Sequence, residues 1–119
     1  MLEGYELAKK ITELMLEKKA FDIKIIDLKG QNSSFDFFVL ATGSVDQHIK
    51  TIADFVAKAL SKLGIKPAGS EGKSNLNWVL LDYSEVIVHI FDPESREFYK
   101  LEKLFDDCVI EDIEEPEIA

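Results

Sequence analysis

Apolar residues recur along this chain at two different periods. Over residues 5–19 they fall at Leu7, Ile11, Leu14 and Met15, with Lys9, Lys10, Glu13 and Glu17 between them, the spacing of a helix that buries one face. Residues 22–28 (DIKIIDL) and 36–43 (DFFVLATG) instead form short apolar runs separated by the turn-rich stretch 30–34. Both are expected as strands, the second a central one covered on both faces. Ser44 and Gln47 fit the S-x-x-Q capping box, with Asp46 at the positive end of the helix dipole. The helix they open is expected to bury Ile49, Ile52, Ala53, Val56, Leu60 and Leu63 until Gly64 stops it. A Pro/Gly/Ser-rich loop, 66–74, leads into residues 77–91 (NWVLLDYSEVIVHIF), two apolar runs joined at Asp82-Tyr83-Ser84-Glu85. These read as a β-hairpin. Asp92 as N-cap and Pro93 at the first helical position then begin a last helix, with Phe98, Leu101, Leu104 and Phe105 as its apolar face.

The hairpin is apolar on both of its faces. Alternation places Trp78, Leu80 and Asp82 on one side and Val79, Leu81 and Tyr83 on the other; Val86, Val88 and Ile90 likewise oppose Ile87, His89 and Phe91. Such a sheet is either covered on both sides by its own chain or keeps one face for another protein. The order helix, strand, strand, helix, hairpin, helix predicts an α/β (α+β) fold, a single mixed sheet of about four or five strands packed with helices. A strand, crossover helix and strand over 36–83 predict a right-handed parallel connection, to which the hairpin adds an antiparallel pair.

At 119 residues, 46% hydrophobic and 31% charged, the chain has the size and composition of one globular domain. The net charge of −9 matters once it is located. Residues 106–119 hold seven acids and no base, leaving the body with 16 acids against 14 bases. The chain is therefore divided into a single domain, 1–107, and an acidic C-terminal tail, 108–119, the latter expected to be solvated and frayed. Nucleic-acid backbone is disfavoured as a dominant partner, because Arg96 is the only arginine and no Lys/Arg stripe runs along any element. No apolar run nears the roughly 20 residues that span a bilayer, and acids stand near the N-terminus where a signal peptide has only bases. No membrane association and a cytoplasmic location are expected. The lone Cys108 has no disulfide partner in the chain.

Candidate chemistry is sparse. A strand ending at Gly43-Ser44 and running into a helix is similar to the turn with which nucleotidyltransferases seat a triphosphate. Those enzymes also need two or three carboxylates converging on magnesium, whereas Asp46 and Asp54 stand at the cap and inside the helix. His48 and His89 form no HxxxH or HExxH spacing, and no serine sits in a G-x-S-x-G elbow. No catalytic residue, metal site or cofactor is expected. His89 reads either as a packed neutral histidine or as an interface residue beside Phe91, and Trp78 either as core or as an anchor for a partner. Glu71-Gly72 reads either as a general base in a loop or, more simply, as a turn.

These residues resemble the Iojap family, the ribosomal silencing factors. The likeness is carried by residues 36–43, by Glu71-Gly72, by WVLLDY at 78–83, by VIVHIF at 86–91 and by REFYKLEKL at 96–104. Phe37 stands where the family has Tyr, Ser84 where Gly is common, and Phe105 where Trp closes the motif. The resemblance implies a nucleotidyltransferase-like topology without catalytic carboxylates. It further implies a non-enzymatic factor that binds the large ribosomal subunit through ribosomal protein fourteen, blocks joining of the small subunit and damps translation when nutrients are scarce. The matched candidates for partner binding are Trp78, Leu80, Asp82, Tyr83, His89 and Phe91, with Glu71 and Gly72 at the loop. A homodimer through the hairpin face is the other association implied. A nucleotide-binding enzyme using Gly43-Ser44 and a homodimeric adaptor are the competing readings.

Overall fold

The computed structural model describes residues 2–31, 33–72 and 74–115. The two long helical stripes become α1 (Gly4–Glu17) and α2 (Asp46–Lys62). α1 buries Leu7, Ala8, Ile11, Thr12, Leu14 and Met15, and α2 buries Ile49, Ile52, Ala53, Val56 and Leu60. Leu63, predicted as part of that stripe, is the C-cap residue and is half exposed. Gly64, at φ +82, follows it, and the N–H groups of Gly64 and Ile65 fold back onto the carbonyls of Ser61 and Leu60, as in a Schellman ending.

Both helices pack on one face of a six-stranded sheet ordered β3-β4-β5-β2-β1-β6. Its strands are β1 (Phe21–Asp27), β2 (Phe37–Thr42), β3 (Gly69–Glu71), β4 (Trp78–Tyr83), β5 (Val86–Phe91) and β6 (Val109–Ile113). The sheet is mixed, as predicted, with two strands more than the apolar pattern marks. The parallel pair is β2 with β5, and all other pairs are antiparallel. β4, expected to run parallel to β2, is instead separated from it by β5. The second hairpin strand takes the central place because all six of its residues are buried, whereas every other residue of β4 is only partly covered.

The helix-covered face settles which side of the hairpin is core. Val79, Leu81, Tyr83, Val86, Val88 and Ile90 join Val39, Ala41, Ile11, Met15, Ile52 and Val56 in one cluster, each fully buried aliphatic stabilising the fold by about 1.5–3 kcal/mol. The opposite face carries a smaller cluster of Ile26, Leu28, Leu40, Phe91 and Leu101. It is roofed only in part, by α3 (Pro93–Tyr99) and the single turn α4 (Leu101–Leu104). Asp92 caps α3 as predicted, accepting from the Ser95 N–H at 2.7 Å. The last helix is not continuous, however. Lys100 adopts φ +46 and breaks it, so Leu101 turns inward while Phe98 and Leu104, predicted to be apolar-face residues, stay 78% and 71% exposed.

Two further expectations fail for identifiable reasons. Ser44 and Gln47 make no capping box: Val45 is the N-cap, and the Ser44 N–H donates to His48 Nδ1 at 2.9 Å. His48 Nε2–H in turn donates to the Lys18 carbonyl at 2.7 Å, fastening the start of α2 to the end of α1. Residues 109–113, read as part of a frayed acidic tail, are the edge strand β6. Their acids are paired, Glu111 with the Tyr5 hydroxyl and Lys9, and Asp112 with Lys24. Neutralised in this way, acids are no obstacle to strand pairing.

Candidate functional site

The partly roofed face is where the sequence-predicted residues converge. Antiparallel register sets Trp78 opposite Phe91, Leu80 opposite His89 and Asp82 opposite Ile87, while Glu71 of β3 stands opposite Leu80. Directly opposed residues share a face. Trp78, Leu80, Asp82, His89, Phe91 and Glu71 are therefore brought together. Tyr83 is not: it lies on the other face, inside the helix-covered core.

Within the group, burial divides the labour. Phe91 is fully buried and His89 is 4% exposed, so both form the floor of the site rather than its surface. Trp78 stacks on that floor, 4.8 Å from the Phe91 ring, and its Nε1–H donates to His89 Nδ1 at 3.0 Å. With Nδ1 accepting, a neutral imidazole carries its proton on Nε2, and that atom is buried with no acceptor among the described residues. Burial pushes the His89 pKa down to about 4, so the ring is neutral at pH 7 and the tryptophan keeps its acceptor. Phe38 closes edge-on over His89 at 4.6 Å, and Phe105 over Phe38 at 5.4 Å. Phenylalanine at position 105 thus works as an apolar lid and needs no indole N–H.

Above the floor, the outer surface is aromatic. Tyr99 lies 4.8 Å from Trp78, and Phe98 lies 5.0 Å from Tyr99. Leu80 and Trp78 are partly buried, and Tyr99 and Phe98 at the end of α3 are exposed, so the four form an apolar surface that α3 covers only in part. The helical spacing predicts Phe98 as core and gives Tyr99 no separate role; adjacent aromatics at the end of a short helix are the available signal. Glu71 and Asp82 border this surface at the β3 edge. The Asp82 carboxylate also holds the hairpin turn, accepting from the Ser84 N–H at 2.7 Å. Ser84 sits at φ +70, which explains why glycine is at home there.

Gly72 has a structural part. At φ +82, a Cβ placed on it would come within 2.0 Å of the Trp78 carbonyl oxygen, so only glycine lets the β3–β4 connection press against the start of β4. Gly43 is explained in the same way. A Cβ there would meet Ile49 Cγ1 at 2.8 Å, and the Gly43 N–H donates to the Phe91 carbonyl at 2.9 Å. With the Ser44 N–H given to His48, two amides of the nucleotidyltransferase-like turn are committed to the fold. The adjoining groove is lined by Asp46, Asp92 and Glu94, an unfavourable setting for a triphosphate. Among the described residues no group of three or more His, Cys, Asp or Glu side chains is placed to hold a metal, and no helix is long and apolar enough to cross a membrane.

The family model described as "Ribosomal silencing factor during starvation" matches residues 2–119. The chain belongs to the ribosomal silencing factor family. Among its relatives, the ribosomal silencing factor of Bacillus subtilis is 33% identical over 98 residues, covering 82% of this chain and 83% of that one. A mouse relative, "Mitochondrial assembly of ribosomal large subunit protein 1", is 29% identical over 98 residues, 80% of this chain and 43% of its own length. A solved structure from Chromobacterium violaceum superposes with a TM-score of 0.84 at 30% identity, covering 99% of this chain and 93% of that one. The silencing-factor fold is thus shared nearly end to end.

Proposed function

We propose that this chain is a ribosomal silencing factor that works by steric occlusion. It docks through Leu80, Trp78 and Asp82, with Tyr99 and Phe98 alongside, on ribosomal protein fourteen of the large subunit, and so keeps the small subunit from joining. Translation in the cytoplasm is thereby damped when nutrients are scarce. The observation that carries this reading is the partly covered apolar surface of Leu80, Trp78, Tyr99 and Phe98 on a sheet face whose opposite side is sealed by α1 and α2. Aromatics such as Trp78, partly buried on a packed floor, and Tyr99, exposed beside it, are the residues that dominate protein interfaces. Glu71 and Asp82 at the border suit a basic partner, steering encounter more than adding affinity. Occlusion requires no reacting group, consistent with relatives named as silencing factors.

Leu80 is the residue to change, because it is only partly buried and holds up neither the Trp78–His89 bond nor the turn. Leu80→Lys should lower co-sedimentation with large subunits by at least about tenfold, while its thermal unfolding stays close to that of the parent chain. Undiminished binding by the folded variant would remove this face from the interface.

A further inference from the structure

In a chain with net charge −9, four of the 14 bases converge on one cavity. It has a volume of about 580 Å³ and lies where the irregular start of β1 meets α3 and α4; Lys24, Arg96, Lys100 and Lys103 line it. The volume is that of a small-molecule site and far exceeds what a single halide fills.

Arg96, the only arginine, is 8% exposed and held by two groups. Its Nη1–H donates to Thr42 Oγ1 at 2.8 Å, and its Nε–H points between the two carboxylate oxygens of Glu102, each at 3.3 Å. A guanidinium and a carboxylate normally make two parallel bonds, one from each of two nitrogens. Glu102 straddles one nitrogen instead. Nη2 is left buried with no acceptor among the described residues, an arrangement costlier for a cationic donor than for a neutral one. Around this incomplete fork stand Lys100, loosely paired to Glu97 at 3.4 Å, and Lys103, which makes no ion pair among the described residues.

We propose that this cavity binds the phosphoryl groups of a small soluble ligand, a pyrophosphate or phosphate ester. One phosphoryl oxygen completes the Arg96 fork at Nη2, and the remaining charge lies against Lys100 and Lys103. Glu102 is the competing group, because its carboxylate already occupies the Nε side of the same fork. Asp22, held at φ +50 on the cavity wall, and Glu97 are acceptors for hydroxyl groups of an esterified ligand.

Calorimetric titration of the full chain with pyrophosphate, at fixed ionic strength, tests this. Saturable one-site binding is expected, weakened at least about tenfold by Lys103→Glu and strengthened by Glu102→Gln. Lys103→Glu leaves the packed core untouched and should melt like the parent, whereas Glu102→Gln takes the carboxylate from the buried Arg96 and should melt lower until pyrophosphate is added. Absence of saturation at millimolar pyrophosphate, or binding that Lys103→Glu leaves unchanged, overturns the site. A parallel titration with a short single-stranded RNA separates the sources of phosphate. Binding of the RNA alone, sensitive to Lys103→Glu, would overturn the soluble ligand in favour of a nucleic-acid backbone.

Discussion

His89 and Tyr83 sit on opposite faces of the same hairpin, and each pairs burial with a polar atom that has no partner among the described residues. For His89, burial lowers the pKa from 6.5 to about 4. The folded state therefore resists protonation that the unfolded chain accepts. The associated stability is complete above the unfolded value and is lost as pH falls through about 4, amounting to about 3 kcal/mol at most. Urea unfolding at pH 7 and pH 4 should show this loss, and His89→Gln should show much less of it. Tyr83 has the opposite sign. Burial raises its pKa from 10.0 to about 12, so its contribution holds below pH 10 and is lost as pH rises through 12. Its buried hydroxyl has no partner among the described residues, and Tyr83→Phe should raise stability at pH 7 by about 1 kcal/mol, read by the same unfolding experiment. What the sequence could not reveal was the face each occupies: with apolar residues on both sides of both strands, alternation separates the two sets without saying which meets the helices.

At the scale of elements, periodicity located α1, α2, β2 and the hairpin, because each has a sustained apolar pattern and a recognisable start or stop. Three features had no such mark. β3 is only Gly-Ser-Glu and wholly exposed. The break between α3 and α4 rests on Lys100 at φ +46, a conformation that no residue type there announces. β6 is concealed by its own acids, since Glu111 and Asp112 read as a solvated run until Tyr5, Lys9 and Lys24 are seen to meet them. A chain ended at Phe105 would strip β1 of its outer partner and remove Cys108 and Ile110 from the packing around Ile26 and Leu28. Its melting temperature should drop by at least about 5 °C. A solvated tail would leave the melting temperature unchanged, so thermal unfolding followed by circular dichroism decides between the two. The same helix break is why the apolar pattern does not mark Phe98 as exposed: a continuous helix would place it with the core.

The whole molecule is one sheet with unequal coverings. Two long helices seal one side; a short, broken roof leaves the other side an aromatic surface on a rigid floor, with the Trp78–His89 bond fixing the central ring. Family membership over residues 2–119 and the match to the Chromobacterium violaceum structure place this design among the silencing factors. Its proposed action is mechanical, so the decisive measurement is of subunit joining itself. Purified small and large ribosomal subunits are mixed with the chain and resolved on a sucrose gradient. Occlusion predicts that the chain migrates with the large subunit, that the joined-ribosome peak declines in step with the amount bound, and that Leu80→Lys restores it. Joined ribosomes that form undiminished while the chain is bound to the large subunit would contradict it.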